Sequence, residues 1–73
     1  MEEVLEILNE LHPEVDFNTC TTLIDDNILD SLDIVTIIAE LSSEFDIEIP
    51  PHEIIPENFN SAKQLNEMVK RLS

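Results

Sequence analysis

The chain has 73 residues, of which 42% are hydrophobic, and it carries seventeen acidic side chains against three basic ones for a formal net charge of -14. That size suits one small domain, expected to span residues 1–73, and the apolar content suits a folded core rather than a disordered tail. The charge excludes a nucleic-acid binder, which needs a basic footprint, and an anionic membrane surface, and it favours partners with basic patches.

Phe17, Phe45 and Phe59 are the only aromatic residues, so the core is expected to be built from Leu, Ile and Val. The strong self-repulsion predicts a fold that gains stability from salt or divalent cations. Cys20 is the lone cysteine, which excludes an internal disulfide and suggests a reducing compartment. No apolar run is long enough to span a bilayer, and no signal-peptide pattern is visible, so the cytoplasm is the expected location. A monomer is also expected.

Val4, Leu5, Leu8 and Leu11 follow helical spacing, with Ile7 widening the stripe, and predict a helix from Glu2 to about Leu11. Glu2, Glu3 and Glu6 suit its positive end, and Pro13 stops it. Residues 13–30 form a long connection. Its apolar residues Leu23, Ile24, Ile28 and Leu29 are expected to pin it to the core.

Ser31 to Phe45 reads as the second main helix. At 100° per residue, Ile34, Ile37, Ile38, Leu41 and Phe45 share one face. Asp33, Thr36, Glu40, Ser43 and Glu44 share the other, and Leu32, Val35 and Ala39 form an apolar margin between them. The alternation in Asp46-Ile47-Glu48-Ile49 is too short for a strand. A single helical turn is expected around His52 to Ile55, bounded by Pro56, with Asn58-Phe59-Asn60 as a turn.

The last helix starts near Ser61, where Ser61 and Gln64 fit a capping box. Ala62, Leu65, Met68, Val69 and Leu72 form its apolar stripe, and Lys70 and Arg71 sit at its negative end. The chain lacks glycine, so its turns must use Asn, Asp, Ser or Pro. The expected architecture is all-α: a small bundle of three main helices plus one short helix, with a long loop between the first and second.

Several chemistries fail on spacing. Asp25, Asn27 and Leu29 would occupy the first, third and fifth positions of a calcium loop, but the fifth is apolar and Asp30 stands where glycine is required. His12, His52 and Cys20 lack zinc-ligand spacing, so no metal site is expected, and both histidines are expected at the surface. Ser31, His52 and Asp30 make a triad only on paper, and Cys20 has no nearby histidine to activate it. No catalytic residue is expected.

Ser31 itself has two readings. Asp30 or Ser31 can cap the helix by accepting a bond from a first-turn amide. A serine that follows a long loop and opens a helix is also well placed to carry a phosphodiester, because the helix start presents free N–H groups and partial positive charge.

At Asp30-Ser31-Leu32, followed by Asp33 and a helix, the sequence resembles the acyl carrier protein family. Phe45-Asp46-Ile47-Glu48-Ile49-Pro50 is similar to the family segment that ends the second helix, and Phe59-Asn60-Ser61-Ala62 to the start of the last. The resemblance implies a four-helix bundle with 4′-phosphopantetheine on Ser31, installed from coenzyme A by a phosphopantetheinyl transferase with the help of Asp30. It implies apolar partner contacts at Leu32, Val35 and Ala39, and acidic contacts at Asp33, Glu40 and Glu44 with basic patches on acyl- or aminoacyl-handling enzymes. The expected role is a carrier, not an enzyme, for fatty acid or related acyl synthesis. Ile28 stands where fatty-acid-type carriers commonly have glycine, and Thr36 and Ser43 where they often have acids. Leu29-Asp30-Ser31 looks closer to D-alanyl and other aminoacyl carriers, which is the alternative cargo class. A small acidic interaction module without modification is the rival of another kind.

Overall fold

The computed structural model describes residues 2–73; Met1, the first residue of the expected domain, lies outside them. Four α-helices occur in chain order: α1 (Glu2–Leu11), α2 (Ser31–Phe45), α3 (Pro56–Phe59) and α4 (Ala62–Leu72). No strand occurs among the described residues. α1 packs against both α2 and α4, and α3 packs against α4.

The helical stripes meet in one core. Val4 and Leu8 of α1, Ile37 and Leu41 of α2, and Leu65 and Met68 of α4 are fully buried. Ile34, Ile38 and Phe45 pack against them from the edge of the same α2 face. The burial of that mainly aliphatic set drives a chain with so few aromatics to fold.

The long connection is held as expected at Leu23 and Leu29, which are buried, with Ile24 and Ile28 packed beside them. Its backbone is also bonded. Leu23 donates to the Asn60 carbonyl at 2.9 Å, and Ile24 and Asp25 donate to Asn60 Oδ1 at 2.9 and 3.1 Å. One asparagine between α3 and α4 thus satisfies three loop amides. Among the described residues, positive φ angles fall on Asn27 at 57° and Asp46 at 52°, residue types that enter the left-handed region in the absence of glycine. Asp46 ends α2, with its N–H bonded to the Ser42 carbonyl.

Two sequence expectations are corrected. The short turn is a 3₁₀ turn at Pro51–Glu53, and Pro56 opens α3 instead of bounding a turn before it. Proline is well suited to the first helical position, where its missing N–H removes nothing from the ladder. Asn58 and Phe59 accordingly lie within α3, both buried, not in a turn.

Candidate functional site

The junction between the long connection and α2 is built from its side chains outward. Asp30 is the N-cap, in extended backbone at φ -102° and ψ -175°. Its Oδ1 accepts the Asp33 N–H at 2.9 Å, and Asp33 Oδ2 accepts the Asp30 N–H at 3.3 Å. This reciprocal pair is a capping box made from two aspartates. The capping function therefore falls to Asp30, and Ser31, the first helical residue, has an exposed side chain. The amides of the first turn at Ser31 and Leu32 belong to the group that an α-helix leaves without a partner in its own ladder.

Leu32 and Val35 stand beside that serine, 75% and 63% exposed, the two most exposed large apolar residues described. Ala39, Glu40 and Glu44 continue the exposed surface along α2. The apolar margin and acidic stripe are thus solvent-facing on one helix, with Ile37 and Leu41 holding its opposite side in the core.

Asp33 is placed differently from its neighbours. Besides closing the capping box, its Oδ2 lies 2.7 Å from His12 Nε2, and His12 Nδ1 lies 3.0 Å from Glu14 Oε2. The surface expectation for His12 is therefore corrected: the ring is half-buried between two carboxylates, Glu14 from the segment after α1 and Asp33 from α2. The hydrogen bond to Asp33, then that to Glu14, raises the His12 pKa above 6.5 against the opposing effect of burial. The same His12 bond holds the Asp33 carboxyl below its ordinary 3.8. The sequence carried no local signal for this contact, because its partners lie 21 residues apart. His52 is exposed, as expected.

A small apolar cavity of about 90 Å³ opens near the site, lined by Ile24, Ile34, Ile54, Ile55, Pro56 and Phe59. Among the described residues no three His, Cys, Asp or Glu side chains converge as a metal site, and no helix is long and apolar enough to cross a membrane. Cys20 is partly buried, with its Sγ 3.9 Å from Thr22 Oγ1.

The chain matches the family model described as "Phosphopantetheine attachment site" over residues 1–72. It is 39% identical to a D-alanyl carrier protein of Streptococcus thermophilus over 71 residues, covering 96% of this chain and 90% of that protein. It is 31% identical to the D-alanyl carrier protein of Lactococcus lactis over 68 residues, covering 93% and 81%. A shorter match, 46% over 41 residues, covers 56% of this chain and 46% of aminoacyl carrier protein 1 of Bradyrhizobium diazoefficiens. No solved structure matches the chain significantly. The chain belongs to the phosphopantetheine-attachment family: it is a non-catalytic carrier with a covalent 4′-phosphopantetheine, serving phosphopantetheinyl transferases and acyl- or aminoacyl-handling enzymes.

Proposed function

We propose that Ser31 is the residue that carries the arm, and that the cargo is an aminoacyl group of the D-alanyl kind. The observation that supports the first statement is the division of labour at the α2 start. Asp30 and Asp33 cap the helix reciprocally, and the Ser31 hydroxyl is left exposed at the first helical position. A phosphodiester there would sit at the positive end of the helix dipole, near the first-turn amides. The residues present thus fit the group. Ser31 would hold its phosphate, and Asp30 would support installation by fixing the turn. The arm's thiol supplies reversible thioester chemistry, and this chain's contribution is display and recognition.

Leu32, Val35 and Ala39 are the proposed apolar contacts for partner enzymes, with Glu40 and Glu44 as acidic ones. Asp33 is proposed to contribute charge to the same surface while remaining bonded to His12. Acidic groups beside an exposed apolar margin steer a basic partner in and then dock it.

One observation supports the cargo class: the match to D-alanyl carrier proteins runs over nearly the whole of both chains.

The test has two stages. The apo protein is incubated with coenzyme A, Mg²⁺ and a broad-specificity phosphopantetheinyl transferase, and intact mass is recorded. Wild type gains one phosphopantetheine and Ser31→Ala gains none; equal gain by both would sink the assignment of Ser31. The loaded protein is then offered to D-alanine-activating and fatty-acyl-activating enzymes. Loading by the fatty-acyl system alone would overturn the aminoacyl reading and leave Ser31 in place.

A further inference from the structure

Among the described residues, the polar cluster with no assigned role at this site is His12 with its two carboxylates. The residue's backbone is tied to α1, since the His12 main-chain N–H donates to the Leu8 carbonyl at 2.9 Å. Its imidazole is tied to α2 by the 2.7 Å contact with Asp33, and to the connection by the 3.0 Å contact with Glu14. Ionised carboxylates only accept hydrogen bonds, so both ring nitrogens must donate, and the arrangement selects the imidazolium form. The charged groups facing the ring are Glu14 from the connection and Asp33 from α2.

Asp33 Oδ2 is shared between two donors, His12 Nε2 and the Asp30 N–H. The bond to Asp30 is the longer, at 3.3 Å. The shorter, charge-assisted contact with His12 is therefore the one that sets the carboxylate's position. Removing it frees Asp33 to turn toward water, weakens the reciprocal half of the capping box, and loosens the backbone immediately before Ser31.

We propose that His12 is a positioning residue for arm installation: its imidazolium holds Asp33 in the capping box and so presents the Asp30–Ser31 turn to the transferase. The proposal rests on Ser31 being the attachment residue. A neutral imidazole donates from one nitrogen only, which leaves the other lone pair facing a carboxylate. The hold on the turn therefore weakens as pH rises through the His12 titration. The hydrogen bonds that raise the His12 pKa place this change on the alkaline side of 6.5.

The experiment measures kcat and KM for phosphopantetheine transfer from coenzyme A to the full chain, across pH, for wild type, His12→Ala and His12→Gln. Circular dichroism establishes that each is folded. At the acid end His12→Ala should lower kcat roughly threefold to tenfold, the size that loss of a helix-cap bond produces. KM should stay within about twofold, since Leu32, Val35, Ala39, Glu40 and Glu44 are untouched and Asp33 keeps its charge. The ratio of wild-type to variant kcat cancels the transferase's own pH dependence, and it should fall toward one as His12 loses its proton. His12→Gln, which keeps a non-titrating donor, should keep kcat above that of His12→Ala by a factor that does not change with pH. In wild type the Asp30 amide proton shift should follow the titration of the His12 ring. That measurement and His12→Gln decide the matter if His12→Ala does not fold. Equal kcat for wild type and His12→Ala at every pH would overturn the proposal, as would a constant ratio with an Asp30 amide indifferent to His12. Failure of the Ser31 assignment is distinguishable, because it shows as mass gain on Ser31→Ala.

Discussion

Two of the polar clusters that stitch this bundle together differ in kind. At α4, Arg71 Nη1 lies 3.0 Å from Glu53 Oε1, and its Nη2 donates to Asn58 Oδ1 at 3.3 Å. Asn58 Nδ2 in turn donates to the Glu53 carbonyl at 2.7 Å and to Glu53 Oε1 at 3.1 Å. This cluster joins the 3₁₀ turn, α3 and α4. The other joins α1, the connection and α2 through His12, Glu14, Asp33 and Asp30. A guanidinium keeps its charge at every pH the protein meets, whereas an imidazole does not. The chain thus uses its single arginine where the scaffold must hold, and places a titratable cation beside the serine turn. α2 itself carries no Lys, Arg or His, so its outer surface stays acidic.

Breaking the permanent cluster should have the largest effect on stability. Asn58 is buried and serves as donor and acceptor at once, so Asn58→Ala strands groups on both sides. The expected cost is about 2–3 kcal/mol, a fall in Tm on the order of 10 °C for a domain this small. Thermal melts by circular dichroism check it; a fall of only a degree or two would show that the cluster does not hold the scaffold. Arg71→Ala comes next. Its guanidinium is about half exposed, so the loss should be near 1 kcal/mol. That loss should stay constant from about pH 6 to about pH 9, since arginine does not titrate there. A loss that varied over the range would erase the contrast between the clusters.

Much of this arrangement was legible in the sequence because it rests on local rules. The α2 wheel separated Ile37 and Leu41, which are buried, from Leu32 and Val35, which are not. Asp30 or Ser31 before a helical pattern announces a cap, which falls to Asp30, and Ser61 with Gln64 announces another; Ser61 Oγ does accept the Gln64 N–H at 3.1 Å. Pro56 has two local meanings, because proline starts helices as readily as it ends them, and here it opens α3. Distant partners leave no local signal at all. Nothing in the order of residues brings His12 to Asp33, Asn60 to Ile24, or Arg71 to Glu53. Such contacts exist only after the core has fixed how the helices cross. They hold the start of α2, the long connection and α3, which are the parts that set the site's shape.

His12→Ala should cost less than Arg71→Ala, below about 1 kcal/mol at its greatest, but with a pH dependence of definite sign. The His12 pKa is raised by folding, so its contribution is full below 6.5 and is lost as pH rises through the folded value. The Asp33 pKa is lowered, so its contribution is full above 3.8 and is lost as pH falls through the folded value. The pair is therefore fully formed between 3.8 and 6.5. The Tm gap between wild type and His12→Ala should be widest in that window and should close at alkaline pH. A gap that widened with pH would contradict the sign.

The smallest stability effect belongs to the residues most exposed beside the serine. Leu32 is 75% exposed and touches little of the core, so Leu32→Ser should leave Tm almost unchanged, within about 0.5 kcal/mol. The same substitution removes apolar area from the proposed docking surface, and the transferase KM for this carrier should rise several-fold while kcat changes little. That is the opposite split from the one expected of His12→Ala, which acts on the turn and not on docking. A Leu32→Ser variant that kept its KM would remove Leu32 from the partner surface. One that melted far below wild type would show that it belongs to the scaffold instead.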